Sequence, residues 1–122
     1  MIRVELPYPH KDLWPNGGHG ARFGVAGQKK KHKEWADVAT RAACGARRPA
    51  FDTQRRIPVL LTVTRKAAGV YPDKDNCVSA SKAYLDGIAH RLGVNDRLFE
   101  TPVVSFLPAI TGLFIFEIGE AA

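Results

Sequence analysis

Apolar and polar positions alternate at the start of the chain, where Ile2, Val4 and Leu6 are separated by polar residues. That pattern predicts a short half-buried strand over 2–6. Pro7 and Pro9 follow, and two prolines remove two ladder donors, so the strand ends there. Residues 15–27 hold five glycines and an asparagine and read as a loop, long enough to suit a functional segment better than a plain connection. From about Gln28 to Ala46 the chain is rich in Lys and Ala, and Trp35, Val38, Ala39 and Ala42 recur at helical spacing. We expect a helix there with those residues as its apolar face, stopped by Gly45.

Residues 46–56 form a polar, Arg-rich connection. Ile57 to Arg65 is the clearest strand, with Val59, Leu61 and Val63 on one face and Pro58 tolerated at its start. After a turn at 66–72, a second helix is expected from about Asn76 to Leu92, stopped by Gly93. Its apolar stripe would be Val78, Leu85, Ile88 and Leu92, with Ala89 beside it. Glu100 to Leu107 and Leu113 to Ile118 read as two further strands joined by a turn at Pro108 to Gly112, a C-terminal hairpin. The expected fold is α+β, one small domain with a small mixed sheet covered by two helices.

Composition alters this picture little. A chain of 122 residues suits one domain, and 45% hydrophobic with 25% charged residues fits a folded chain rather than a disordered one. No apolar run approaches the roughly 20 residues that span a bilayer, and the first residues lack the apolar core of a signal peptide. A cytoplasmic protein with no membrane partner is expected. Cys44 and Cys77 have no metal-ligand spacing around them and read as reduced core residues rather than a zinc site. Charge says more: 18 Lys and Arg against 12 Asp and Glu leave +6, which favours an acidic partner, most commonly nucleic acid.

The candidate chemistry begins at Tyr71-Pro72-Asp73-Lys74-Asp75-Asn76. Pro72 biases the chain towards extended geometry, in which Asp73 and Asp75 point the same way. Paired carboxylates repel unless a cation lies between them, and hard cations such as Mg²⁺ take oxygen ligands of this kind. Alternatively, Asp75 caps the following helix, which leaves Asp73 without a role. On one continuous helix, Asp75, Lys82 and Asp86 would project within about 40° of one another, roughly 95° from the apolar stripe. Lys82 would then lie along a line to the carboxylates and steady phosphate charge, or else form a surface pair with Asp86. Asp96, after the helix stop, is either a third carboxylate returning to the site or an ordinary turn residue.

These residues resemble the RusA family of Holliday junction resolvases, especially its phage-type members. The likeness runs through Asp73-Lys74-Asp75-Asn76, Lys82-Ala83-Tyr84-Leu85-Asp86-Gly87-Ile88-Ala89 and Leu92-Gly93-Val94-Asn95-Asp96. Leu6-Pro7-Tyr8-Pro9 and the following Asn16 and His19 are similar to the family's opening. The resemblance implies a small α/β domain that acts as a homodimer on four-way DNA junctions. It implies Mg²⁺ or Mn²⁺ held by Asp73, Asp75 and Asp96, with Lys82 as the essential helix lysine. Some members place that lysine about one turn nearer the aspartates, where this chain has Ser79. Hydrolysis assisted by one or two Mg²⁺ is the expected chemistry.

Contacts to branched DNA are expected from Asn76 at a helix N-terminus and from Lys29, Lys30, Lys31 and Lys33. Arg47, Arg48, Arg55 and Arg56 extend the basic set, although a charge run also suits a merely solvated face. Two other classes stay open: a non-catalytic nucleic-acid-binding module, and an interaction protein whose acidic cluster only caps helices. A nuclease that cuts flaps or single strands is a variant of the main reading.

Overall fold

The computed structural model describes residues 1–15, 22–45 and 50–119. The initial alternation becomes strand β1 (Ile2–Pro7), with Ile2, Val4 and Leu6 buried. A 3-10 turn at Lys11–Leu13, helix α1 (Arg22–Cys44) and strand β2 (Val59–Thr64) follow. Helices α2 (Lys74–Ala80) and α3 (Lys82–Leu92), a 3-10 turn at Asp96–Leu98 and strands β3 (Val103–Leu107) and β4 (Leu113–Ile118) complete the order. The protein is α+β, with one mixed sheet in the order β1-β4-β2-β3. β2 and β3 run parallel, while β4 lies antiparallel to both β1 and β2.

Alternation along each strand gives the sheet one apolar face. Directly opposed residues form a row across it: Val4 against Phe116, Phe116 against Leu61, and Leu61 against Val104. The other face carries exposed Arg3, Glu5, Leu60, Val103 and Ser105, so the sheet is solvated on that side. Helical residues complete the core on the apolar face, led by Ala36, Tyr84, Leu85, Ile88 and Leu92. No described helix is long and apolar enough to cross a membrane.

Three expectations change. The first helix begins at Arg22 rather than Gln28 and absorbs Gly24 and Gly27, although glycines favour loops on propensity alone. Its buried face is His32, Ala36 and Thr40, whereas Trp35 and Val38 remain 47% and 68% exposed. Second, the long helix expected over 76–92 starts at Lys74 and is interrupted at Ser81, making three helices in place of two. The buried Ser81 hydroxyl donates to the Val78 carbonyl at 2.8 Å, a local bond of the kind that bends helices. Third, β3 and β4 do not form a hairpin, because β2 lies between them. Their link wraps over the end of β2: the Arg65 N–H donates to Ala109 O, and Arg65 O accepts from the Gly112 N–H.

The tightest packing lies between α1 and α3. A Cβ built at Gly87 would stand 2.2 Å from the Lys33 carbonyl oxygen and 2.9 Å from the Ala36 Cβ. Only a residue without a side chain permits that approach. Further along the two helices Asp37 clamps the pair, accepting from Arg91 Nε at 2.8 Å and lying 2.7 Å from His90 Nδ1. Burial alone would raise the Asp37 carboxyl, but the His90 and Arg91 hydrogen bonds outweigh it and hold it below its ordinary value. On the sheet side, the Tyr84 hydroxyl donates to Pro7 O at 2.9 Å and ties α3 to the end of β1.

Gly87→Ala should cost about 1–3 kcal/mol, the usual range for overpacking a tight contact. Gly27→Ala, where an added Cβ meets nothing within 4 Å, should instead stabilise by about 0.4–1 kcal/mol. Urea denaturation of the two variants tests this, and equal shifts of the same sign would count against the packing described.

Candidate nucleic-acid interface

The aspartates start from local backbone chemistry. Asp73, not Asp75, is the N-cap of α2: it has extended backbone, and its Oδ1 accepts from the Asn76 N–H at 3.2 Å. Asp75 lies in the first helical turn. The chain turns from extended to helical between them, so the strand alternation that would align the two carboxylates does not apply. The capping role therefore moves from Asp75 to Asp73. It also answers the expectation for Asn76, whose backbone N–H is already taken by a carboxylate rather than left for a phosphate.

Asp73 and Asn76 line a cleft of about 380 Å³ together with Tyr8, Lys11, Trp14 and Lys66. The Trp14 indole donates to Pro9 O at 3.0 Å and its ring lies edge-on to Phe114 at 5.8 Å. The Lys66 ammonium stands 6.0 Å from the centre of the Tyr8 ring, at the outer limit of cation–π attraction. None of Lys11, Trp14 or Lys66 stands out in the sequence. Each reaches the cleft because the chain after β1 folds back beside the start of α2, a long-range contact that spacing does not encode.

Asp96 opens the 3-10 turn Asp96–Leu98, whose N-cap Asn95 accepts from the Arg97 N–H at 3.0 Å. Lys82, the first residue of α3, lines two clefts with Asp96. The larger, about 350 Å³, also takes in Lys29, Lys30, Lys33, Ala83 and Asp86. No ion pair joins Lys82 to Asp86 among the described residues. Asp75 lines neither this cleft nor the one around Asp73. The interruption at Ser81 puts Asp75 on α2 and Lys82 and Asp86 on α3.

The four lysines of the first helix separate by geometry. At about 100° per residue, Lys29 and Lys33 lie within about 60° of Ala36 and Lys30 about 120° from it on the same side, while Lys31 lies about 140° away on the opposite side. Three of the four therefore share the cleft with Lys82. A further cleft of about 280 Å³, bounded by Trp14, Lys29, Ser79 and Lys82, lies between the two and shares Trp14 with one and Lys29 and Lys82 with the other. Through these shared residues the three clefts adjoin in a row, a furrow of separate hollows from Asp73 past Trp14 to Lys82 and Asp96. Ser79 sits within it.

Among the described residues, no group of three or more His, Cys, Asp or Glu stands close enough together to hold a metal ion. Asp73, Asp75 and Asp96 are thus not gathered into one ligand set for Mg²⁺ or Mn²⁺. Arg47 and Arg48, with Asn16 and His19, lie outside the described residues. Arg55 and Arg56 are exposed and line none of the three clefts of the furrow, and Arg56 donates to Phe99 O at 2.7 Å. Cys77 is a buried free thiol whose pKa burial pushes up to about 11, with Asp73 adding to the rise. It is inert core, as expected.

Because Asp73 is a cap, Asp73→Ala should lower stability by about 1 kcal/mol, while Asp73→Asn, an equally good cap, should change it by only a few tenths. Thermal unfolding of the two variants checks this; equal losses would remove the cap assignment.

No family model matches the chain, and no solved structure matches it. It is similar to an uncharacterized protein of Xylella fastidiosa (strain Temecula1 / ATCC 700964), 34% identical over 100 residues. The match covers 81% of this chain and 63% of that protein, so the chain spans less than two thirds of its relative's length.

Proposed function

We propose that this chain is a structure-selective endodeoxyribonuclease for branched DNA, of the RusA type. The observation that carries the DNA-binding half is the convergence of Lys29, Lys30 and Lys33 with Lys82 on one cleft. Clustered cations that neutralise phosphates release counterions, and this drives nucleic-acid association. Lys82 and Lys29, shared between adjoining clefts, are the groups best placed to offset charge on a phosphate in the furrow. The hydrolytic half rests on the likeness of Asp73-Lys74-Asp75-Asn76 and its downstream partners to the family. A divalent cation would supply the Lewis acid in such chemistry. The described residues do not assemble three carboxylates around one point to hold it. A homodimer belongs to the same reading, since two-fold symmetry suits paired nicks on opposed strands.

The second reading is a non-catalytic DNA-binding module, and that same separation of the aspartates favours it. Incubating a labelled four-way junction with Mg²⁺ and either the wild type or Asp73→Asn, which keeps the cap and borders the furrow, distinguishes the two. The nuclease reading expects paired symmetric nicks from the wild type only, with binding retained by the variant. Binding without cleavage by either supports the module, and no binding by either overturns both.

If four lysines contact phosphates, log K should fall with log salt at a slope of about −3.6. Single alanine substitutions at Lys29, Lys33 or Lys82 should each make that slope shallower by about one, while Lys31→Ala leaves it unchanged. A salt-independent affinity would exclude this face as the binding surface.

A further inference from the structure

One wall of the furrow, the Lys11–Leu13 turn with Trp14, is tied to α1 through a buried imidazole. His32 is 1% exposed and sits between the Trp35 and Tyr84 rings, at 4.8 and 4.9 Å. Its Nδ1 lies 2.7 Å from Gln28 O, and its Nε2 accepts from the His10 N–H at 3.0 Å. A carbonyl only accepts and a backbone N–H only donates, so the ring is the neutral Nδ1–H tautomer. A proton added at Nε2 would point at the His10 N–H, replacing a hydrogen bond with two opposed donors.

The groups facing the ring include no carboxylate, so only the Gln28 carbonyl and the aromatic faces would attract an imidazolium. These groups are Gln28, Lys31 and Trp35 from α1, His10 from the segment after β1, and Tyr84 from α3. Burial holds the imidazole below its ordinary value, the Gln28 carbonyl opposes this, and His10 and Lys31 add to the fall. The unfolded chain therefore binds the proton first, and the bond contributes stability above the ordinary histidine range and loses it as pH falls.

We propose that His32 is a pH-sensitive latch: neutral, it holds the His10–Trp14 segment against α1, and protonated, it releases that wall of the furrow. An effect on DNA binding would rest on the function proposed above; the latch itself does not.

His10 is the competing source of any transition, because its own Nδ1 accepts from the Asp12 N–H at 3.1 Å. The test follows the Trp14 indole N–H, bound to Pro9 O, and the His32 ring by NMR from about pH 8 to about pH 5. The full chain is compared with His32→Gln, which keeps a donor and an acceptor but does not titrate, and with His10→Asn, which keeps a capping acceptor. The latch predicts one midpoint shared by indole and His32 ring, retained in His10→Asn and absent from His32→Gln. If His32→Gln fails to fold, the shared midpoint in His10→Asn decides. A transition lost in His10→Asn or kept in His32→Gln overturns the proposal. So does an indole that stays still while His32 titrates, or a His32 ring that remains neutral throughout.

Discussion

The missing side chain at Gly87 sets the separation of α1 and α3, and the furrow depends on it. With the Lys33 carbonyl 2.2 Å from where a Cβ would stand, the backbone of α1 lies directly on α3. That approach turns the flank bearing Lys29, Lys30 and Lys33 towards the first turn of α3, where Lys82 begins the helix. Like charges brought together in this way repel, and the arrangement persists because the helices are held by apolar packing and by the Asp37 clamp on His90 and Arg91. The lysine cluster is positioned by the core and does not itself stabilise the fold.

The same contact explains which side of α1 is buried. A close crossing admits small residues, so Ala36 lies at the contact while the large Trp35 and Val38 stay outside. Reading helix burial from hydrophobicity alone selects the wrong flank, because His32 and Thr40 look polar. Both are buried with their polar atoms satisfied, Thr40 by donating to Ala36 O at 2.6 Å and His32 through both ring nitrogens. Strands were more legible. Ile2, Val4 and Leu6, and likewise Val59, Leu61 and Val63, alternate because one face of the sheet is covered and the other is wet. Pairing order was not legible: a five-residue link from Pro108 to Gly112 suits a hairpin and a step over β2 equally well.

At the candidate site, the residue types were legible and their arrangement was not. Asp73, Asn76, Lys82 and Asp96 border the furrow, whereas Asp75 does not. The alignment of Asp73 with Asp75 assumed an extended chain, and the helix begins at Lys74, two residues before the expected Asn76. The alignment of Asp75 with Lys82 assumed a continuous helix, and Ser81 interrupts it. Both failures come from single local bonds, the Asp73 cap and the Ser81 hydroxyl, which compete with the regular pattern. Lys11, Trp14 and Lys66 reach the furrow only through tertiary folding.

The most direct test of the furrow as a DNA-binding face is an amide NMR titration with an unlabelled four-way junction in the absence of divalent cations. The account predicts shifts concentrated at Trp14, Lys29, Lys33, Ser79, Lys82 and Asp96, with Lys31 and the solvated sheet face at Leu60 and Ser105 unmoved. Shifts centred on that sheet face, with the residues of the furrow silent, would contradict it.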